Sequence, residues 1–199
     1  MSAATLKTLS NGVRVLMDPI PGLASTCVGV WVKAGTRAET MRENGIAHLL
    51  EHLVFKGAGG RDARSLAEEA EGRGIYLNAA TGYERTGFFA RCLAEDASFA
   101  LGLTADLVLK PHLRPEDLAL EKGVVLQEIG EAFDDPEDRC GVLHQFAAFP
   151  DHALGRPILG DEASLAGIDQ AAIHAFRGRA YAPSSMLVAV SGALDEAEI

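Results

Sequence analysis

The sequence predicts an α+β fold, a mostly antiparallel sheet packed against helices. Two patterns carry that expectation. Asn11-Gly12 sits between two short apolar-rich runs within residues 6–18, and Asn-Gly favours the positive φ angles of a tight hairpin. Strand-like and helix-like segments then mix along the chain without the regular alternation of a doubly wound parallel sheet. At 199 residues the chain is long for one domain and short for two, so a single domain over 1–199 is expected.

The elements follow in order. Residues 19–23 form a turn. Over residues 25–34, Val28, Val30 and Val32 alternate with Cys27, Gly29, Trp31 and Lys33. That period of two with one β-branched face makes a strand. Residues 35–43 read as a polar loop. Asn44 is a candidate cap for a helix over 45–56 that Gly57 ends. Gly57-Ala58-Gly59-Gly60 follows a helix and lacks Gly-Lys-Ser/Thr, so it reads as a flexible connection rather than a phosphate loop. A helix over 64–72, strands over 75–81 and 86–93, and long helices over 96–109 and 115–133 come next. Asp134-Asp135-Pro136 breaks the last of these. Helices over 139–149 and 169–181 and a strand over 186–191 follow. Asp195 to Ile199 reads as the start of another helix, and an end there suggests a fragment or one half of something larger.

Composition narrows the function classes. The chain is 48% hydrophobic and 23% charged, which is ordinary for a globular protein and argues against disorder. A net charge of −10 disfavours nucleic acid and anionic membrane surfaces, both of which call for a basic patch. No apolar run approaches the roughly 18–20 residues that span a bilayer. Residues 1–7 lack a basic segment leading into an apolar core, so no secretory signal is read there. Cys27, Cys92 and Cys140 are too few and too scattered for a disulfide framework; they read as reduced thiols in a cytoplasmic compartment.

The chemistry concentrates in His48-Leu49-Leu50-Glu51-His52. On a helix, Glu51 lies roughly 60° to one side of His48 and His52 roughly 40° to the other. All three side chains leave one face, and the imidazoles sit one turn apart. Nitrogens so placed can reach one ion at about 2.0–2.1 Å, as tetrahedral zinc requires. The order H-x-x-E-H reverses H-E-x-x-H, and both offer a metal two ligands and one free carboxylate. That carboxylate is placed to take a proton from water, whose pKa zinc lowers to about 7. Leu49, Leu50, Leu53 and Val54 cover the rest of the helix, so the polar stripe is buried with partners or lines a cleft.

A catalytic zinc takes three protein ligands and keeps one position open. The third could be Cys, His, Asp or Glu. The 115–133 helix offers Glu121 and Glu128, about 20° apart in azimuth, among Val124, Val125, Leu126 and Ile129. Such a stripe points either inward at the site or out at solvent.

Gly35-Thr36-Arg37-Ala38-Glu39, followed by Asn44-Gly45-Ile46-Ala47-His48-Leu49-Leu50-Glu51-His52-Leu53-Val54-Phe55-Lys56-Gly57, resembles the pitrilysin/insulinase family of zinc peptidases. It is most similar to the branch of mitochondrial processing peptidase and its bacterial relatives. Asn78-Ala79-Ala80-Thr81 with Glu84 and Thr86 resembles the family's Asn-Ala-x-Thr strand and turn, and Glu121 through Glu128 its E-x6-E helix. Pro157-Ile158-Leu159-Gly160, Tyr181 and the run Val188 to Gly192 also fit. The resemblance covers nearly the whole chain in the right order.

It implies the metallopeptidase half-domain of that family and a zinc endopeptidase activity on extended peptides. His48, His52 and Glu128 are implied as ligands of one Zn2+, Glu51 as general base, and Glu121 as a carboxylate behind the ligands that orients them. Asn78 and Ala79 would hydrogen-bond a peptide as an added strand, and Phe55 would border a side-chain pocket near the scissile bond. Family members close two similar halves around their substrate, and only the first is matched here. The Arg/Tyr pair that the second half supplies has no counterpart. The implied partner is therefore a C-terminal half-domain or a second homologous chain, a homodimer included, and the implied location is the bacterial cytoplasm. Ala58 departs from the Thr that this branch usually carries.

Two rival readings remain. S-ribosylhomocysteine lyase also has an H-x-x-E-H helix, with a Cys as third ligand, for which Cys140 is the candidate; the E-x6-E helix and the Asn-Ala-x-Thr strand argue against it. A non-catalytic half-subunit would fit the length, but family members in that role tend to lose the metal motif. His112, His144, His152 and His174 read as structural or exposed, and the cysteines as small core residues. From Arg114 to Arg139 acids far outnumber bases; beside a peptide cleft, Asp134, Asp135 and Asp138 would favour basic substrates.

Overall fold

The computed structural model describes residues 4–194; the helix read over Asp195 to Ile199 lies outside the described residues. A six-stranded sheet runs in the order β1-β2-β8-β3-β7-β6, and β2 against β8 is its one parallel pair. The expected hairpin joins β1 (Thr5–Thr8) to β2 (Arg14–Pro19) antiparallel. Gly12 takes the left-handed conformation at its turn, φ +93°, where a Cβ would be strained. β3 (Ser25–Val32) lies in the sheet interior and buries Val28, Val30 and Val32, as its alternation predicts.

Two short 3-10 turns follow, and α1 (Ile46–Val54) then crosses the sheet face with Ile46, Leu49, Leu50 and Leu53 essentially inaccessible. Residues 57–62 form a tight hairpin of β4 (Gly57–Ala58) and β5 (Arg61–Asp62) rather than the flexible connection expected, with Ala58 fully buried. α2 (Ala63–Glu71) is capped by Asp62, whose carboxylate accepts the Ser65 amide. β6 (Tyr76–Thr81) pairs with β7 (Thr86–Leu93) and forms the open edge of the sheet.

α3 (Ala97–Leu109) packs on β3 and β7. α4 (Pro115–Asp134) packs on α1. Asp135 ends α4 and caps α5 (Pro136–Ala148), which starts three residues before the expected helix because proline at the first position costs no hydrogen bond. A short helix, α6 (Glu162–Gly167), was not expected; an Asp161–Ser164 capping box nucleates it. α7 (Gln170–Ala180) and β8 (Met186–Gly192) complete the layer.

Two side-chain expectations need correction. Cys92 is buried, but Cys27 and Cys140 are exposed, because Cys27 lies on the sheet's second face and Cys140 on the outer side of α5. On α4 only Val125 of the apolar set is fully buried, while Val124 and Leu126 are exposed. The helix lies on α1 along a narrow stripe.

Candidate metal centre

α1 presents His48 and His52 one turn apart, with ring centroids 4.7 Å apart and nearly edge to face. The burial of Leu49, Leu50 and Leu53 fixes the opposite side of this helix on the core. Glu51 faces Thr81 of β6, and the imidazoles of the stripe face α4. There Glu128 Oε2 lies 3.8 Å from His48 Nε2 and 3.5 Å from His52 Nε2. These separations are too long for good hydrogen bonds. They suit three ligands around one ion, since tetrahedral ligands at about 2.0–2.1 Å from zinc stand roughly 3.4 Å from one another. Buried Glu128 Oε2 and Glu51 Oε2 have no hydrogen-bond partner, the signature of acceptors reserved for a cation or a proton. Among the described residues, His48, His52 and Glu128 form the one group of three that could hold a metal ion.

Glu121 sits on the same face of α4 and meets a different atom. Its Oε2 is 3.1 Å from His52 Nδ1, and its Oε1 is 2.8 Å from Lys56 Nζ. A carboxylate accepting the Nδ1 proton leaves the Nε2 lone pair free on the side of Glu128. Lys56 neutralises a carboxylate that is only 4% exposed. Sequence reading missed Lys56, although its spacing of four from His52 places the two on one side of a helical path.

Burial shapes the titration of the stripe. Desolvation, then the neighbouring His52, pushes the His48 pKa down to about 4, so His48 is neutral and able to bind a metal across the neutral range. Burial raises the Glu51 carboxyl above its ordinary value. Linkage follows from the sign. Unfolded His48 takes a proton near pH 6.5 and folded His48 near 4, so its contribution is complete above 6.5 and lost as pH falls toward 4. The loss is roughly 3 kcal/mol. Urea unfolding of the metal-free protein at pH 7 and 4.5 should show a smaller acid loss in His48→Gln than in the parent; equal losses would refute the burial argument. The shifts of opposite sign at Glu39 and Glu51 are common to both proteins and cancel in the difference.

A cleft of about 700 Å³ opens over this stripe. Its walls are His48 and Glu51, the β6 segment Ala79 to Thr81 with Tyr83, the start of α5 with Glu137 and Asp138, and Pro157 to Leu159. Asp135 is committed elsewhere, accepting the amides of Glu137 and Asp138 as the α5 cap. Of the acids over 134–138, those that line the cleft are thus Asp138, which was expected, and Glu137, which was not; Asp134 does not line it.

Ala79 lines the cleft. Asn78 points to the other face of β6, where it donates to the Tyr76 hydroxyl and accepts the Ala79 amide. Phe55 borders a separate hollow of about 370 Å³ with Leu66, Ala67, Ala70 and Leu77. Cys140 is not among the metal-ligating group. His112 bonds the Gly59 carbonyl and His152 accepts the Leu154 amide, both away from the centre.

A one-sided sheet that presents an H-x-x-E-H helix to a carboxylate on a second helix defines a domain of the zinc-protease class. The chain belongs to the insulinase family, peptidase family M16, whose model matches residues 14–162. An uncharacterized zinc protease of Mycobacterium leprae is 41% identical over 192 residues, 96% of this chain and 43% of that protein. The crystal structure of a protease from Helicobacter pylori superposes with a TM-score of 0.93 at 25% identity, over all of this chain and 48% of that one. An M16 inactive domain from Pseudomonas fluorescens shares the fold, with a TM-score of 0.89 at 22% identity, 99% of this chain and 48% of that one. The chain spans a little under half the length of these proteins. Among the described residues, no helix is long and apolar enough to cross a membrane.

Proposed function

We propose that residues 1–199 form the zinc-binding, catalytic N-terminal half-domain of an endopeptidase that hydrolyses extended peptides in the bacterial cytoplasm. The observation that carries this reading is the convergence of Glu128 on both Nε2 atoms, with a buried Glu51 oxygen that has no hydrogen-bond partner on the same helix face.

His48, His52 and Glu128 hold one zinc ion, while Glu121, backed by Lys56, sets the His52 tautomer. Zinc, when bound, supplies a Lewis acid for water and for the scissile carbonyl. Glu51 accepts the proton of the attacking water and returns it to the leaving amine. Its raised proton affinity suits both halves of that task. The open edge of β6 receives the peptide backbone as an added strand. Asn78 folds onto the Ala79 amide and guards that edge until a substrate displaces it. The hollow bounded by Phe55 takes an apolar side chain.

Chain length bears on activity. Relatives are about twice as long, and we propose that a second half-domain, from the same polypeptide or a second homologous chain, closes over the cleft. The test adds such a half to this chain and measures cleavage of an unstructured peptide, with and without zinc. Zinc-dependent cleavage supports the reading. A chain that assembles with its partner, binds zinc and cleaves nothing supports the second reading, a non-catalytic half-subunit, which the inactive M16 relative brings into view.

Substrate charge follows from the acidic wall. Glu137→Gln with Asp138→Asn should reduce cleavage of peptides with a basic residue near the scissile bond by about tenfold, the value of one partly desolvated charge pair, and leave neutral peptides unaffected. Unchanged preference in a competition between the two peptides would remove the acidic wall from the account.

A further inference from the structure

The metal helix begins without a side-chain cap of its own. Gly45, at φ +92°, occupies the cap position. Asn44, the cap expected from sequence, is turned away. Its amide donates to Glu39 Oε2 and to the Pro157 carbonyl. The orphan amides at the helix start go to Glu39, six to eight residues upstream. Glu39 Oε2 accepts the Gly45 amide at 2.9 Å and Oε1 the Ala47 amide at 2.9 Å. Glu39 is 5% exposed. Its backbone carbonyl in turn accepts from the Arg156 guanidinium.

These bonds tie α1 to the 156–160 wall of the cleft. The two segments also meet where only glycine fits. A Cβ on Gly45 would stand 2.6 Å from the Leu159 carbonyl oxygen, and one on Gly160 would stand 2.5 Å from the Asn44 oxygen. Glu39 is thus the hub joining three parts of the site: the start of the ligand helix, the 35–43 loop and the cleft wall.

Building on the zinc reading above, we propose that Glu39 is a positioning residue. Through the amides of Gly45 and Ala47 it holds the start of the metal helix against the cleft wall, so that His48 and His52 meet Glu128. The chemistry of the cage is specific to a carboxylate. All three groups facing the two oxygens are N–H donors. A hydrogen on either oxygen, or an amide NH2 in its place, would confront a donor and leave a buried N–H unpaired. Burial pushes the Glu39 pKa up to about 7 against these donors and Arg156, so the carboxylate that the cage requires prevails above that pH, where its charge lies at the positive end of the α1 dipole. An apolar residue would avoid the desolvation cost, but it could not bind two helix amides and Asn44 at once.

The test separates position from stability. Glu39→Gln is nearly isosteric and leaves every ligand in place. Its zinc affinity, read by competition with a chromophoric chelator, should fall at least tenfold, in the range seen when groups behind metal ligands are lost. The visible spectrum of the cobalt-substituted site should change with it. Ile173→Val, an apolar core position on α7 outside the hydrogen-bond cage of Glu39, is the control for lowered stability; its affinity should stay within twofold of the parent. Asn44→Ala, which removes one donor and the link to Pro157, should weaken zinc less than Glu39→Gln, and it carries the test if Glu39→Gln does not fold. Affinity and spectrum matching the Ile173→Val control would overturn the proposal. A parent that binds zinc in the same assay shows that such a failure belongs to Glu39 alone; a parent that binds none overturns the metal reading and this inference together.

Discussion

Glu51→Gln should keep its zinc and lose peptide cleavage by about 10²–10⁴ in kcat, the range for removing a general base. The two properties separate because the Glu51 carboxylate shares the face of α1 with the imidazoles and yet lies outside the group whose atoms converge, His48, His52 and Glu128. Gln has the same size and cannot accept a proton. The buried Oε2 of Glu51 has no partner and its carboxylate otherwise bonds only Thr81, an acceptor role that the Gln carbonyl oxygen can keep, so the substitution should leave the fold and the thermal midpoint close to the parent. The measurement pairs metal content with cleavage of an unstructured peptide by the chain assembled with its second half. Near-normal cleavage by a zinc-loaded variant would show that another group moves the proton. Loss of zinc together with cleavage would move Glu51 into the ligand set.

Glu128→Gln should have the opposite signature and lose the metal itself. After dialysis the parent should hold about one zinc per chain and the variant far less, because a neutral amide oxygen replaces the only anionic ligand of the three. The contrast with Glu121 sharpens this. Glu121 bonds His52 Nδ1 and Lys56, so Glu121→Gln should weaken zinc by the 10–100-fold of a supporting group and still bind it stoichiometrically at high concentration. If Glu121→Gln empties the site and Glu128→Gln does not, the two glutamates have been assigned in the wrong order. A parent that takes up no zinc would overturn the metal reading itself.

Much of this was legible along the chain. The β-branched alternation of β3, the Asn11-Gly12 hairpin and the proline-punctuated helices are local signals, and each element formed where its pattern lay. The H-x-x-E-H stripe is local too, since helical geometry alone puts three side chains on one face. The misreadings share a cause. Asn44 has the chemistry of a cap, but it lost that place to Glu39, whose approach depends on how the 35–43 loop folds back on α1. Gly57 to Gly60 looked flexible, and the segment is pinned in a hairpin against Ala58's burial site and His112.

The proposed third ligand marks the boundary most clearly. Spacing along α4 puts Glu121 and Glu128 on one stripe, yet about 10 Å apart along the helix axis, so only one can approach a given ion. Helical periodicity is indifferent to which; the family resemblance implied Glu128. What decides it physically is where α4 crosses α1. That crossing follows from the packing of Val125 and Leu118 on the core, which brings Glu128 to the two Nε2 atoms and leaves Glu121 at the back of His52. The residue types and their faces were set by the sequence, through the periodicity of single elements. The pairing of Glu128 with His48 and His52, the support from Glu121 and Lys56, and the cap from Glu39 were settled only by tertiary packing, because each joins atoms from segments whose separation no local pattern encodes.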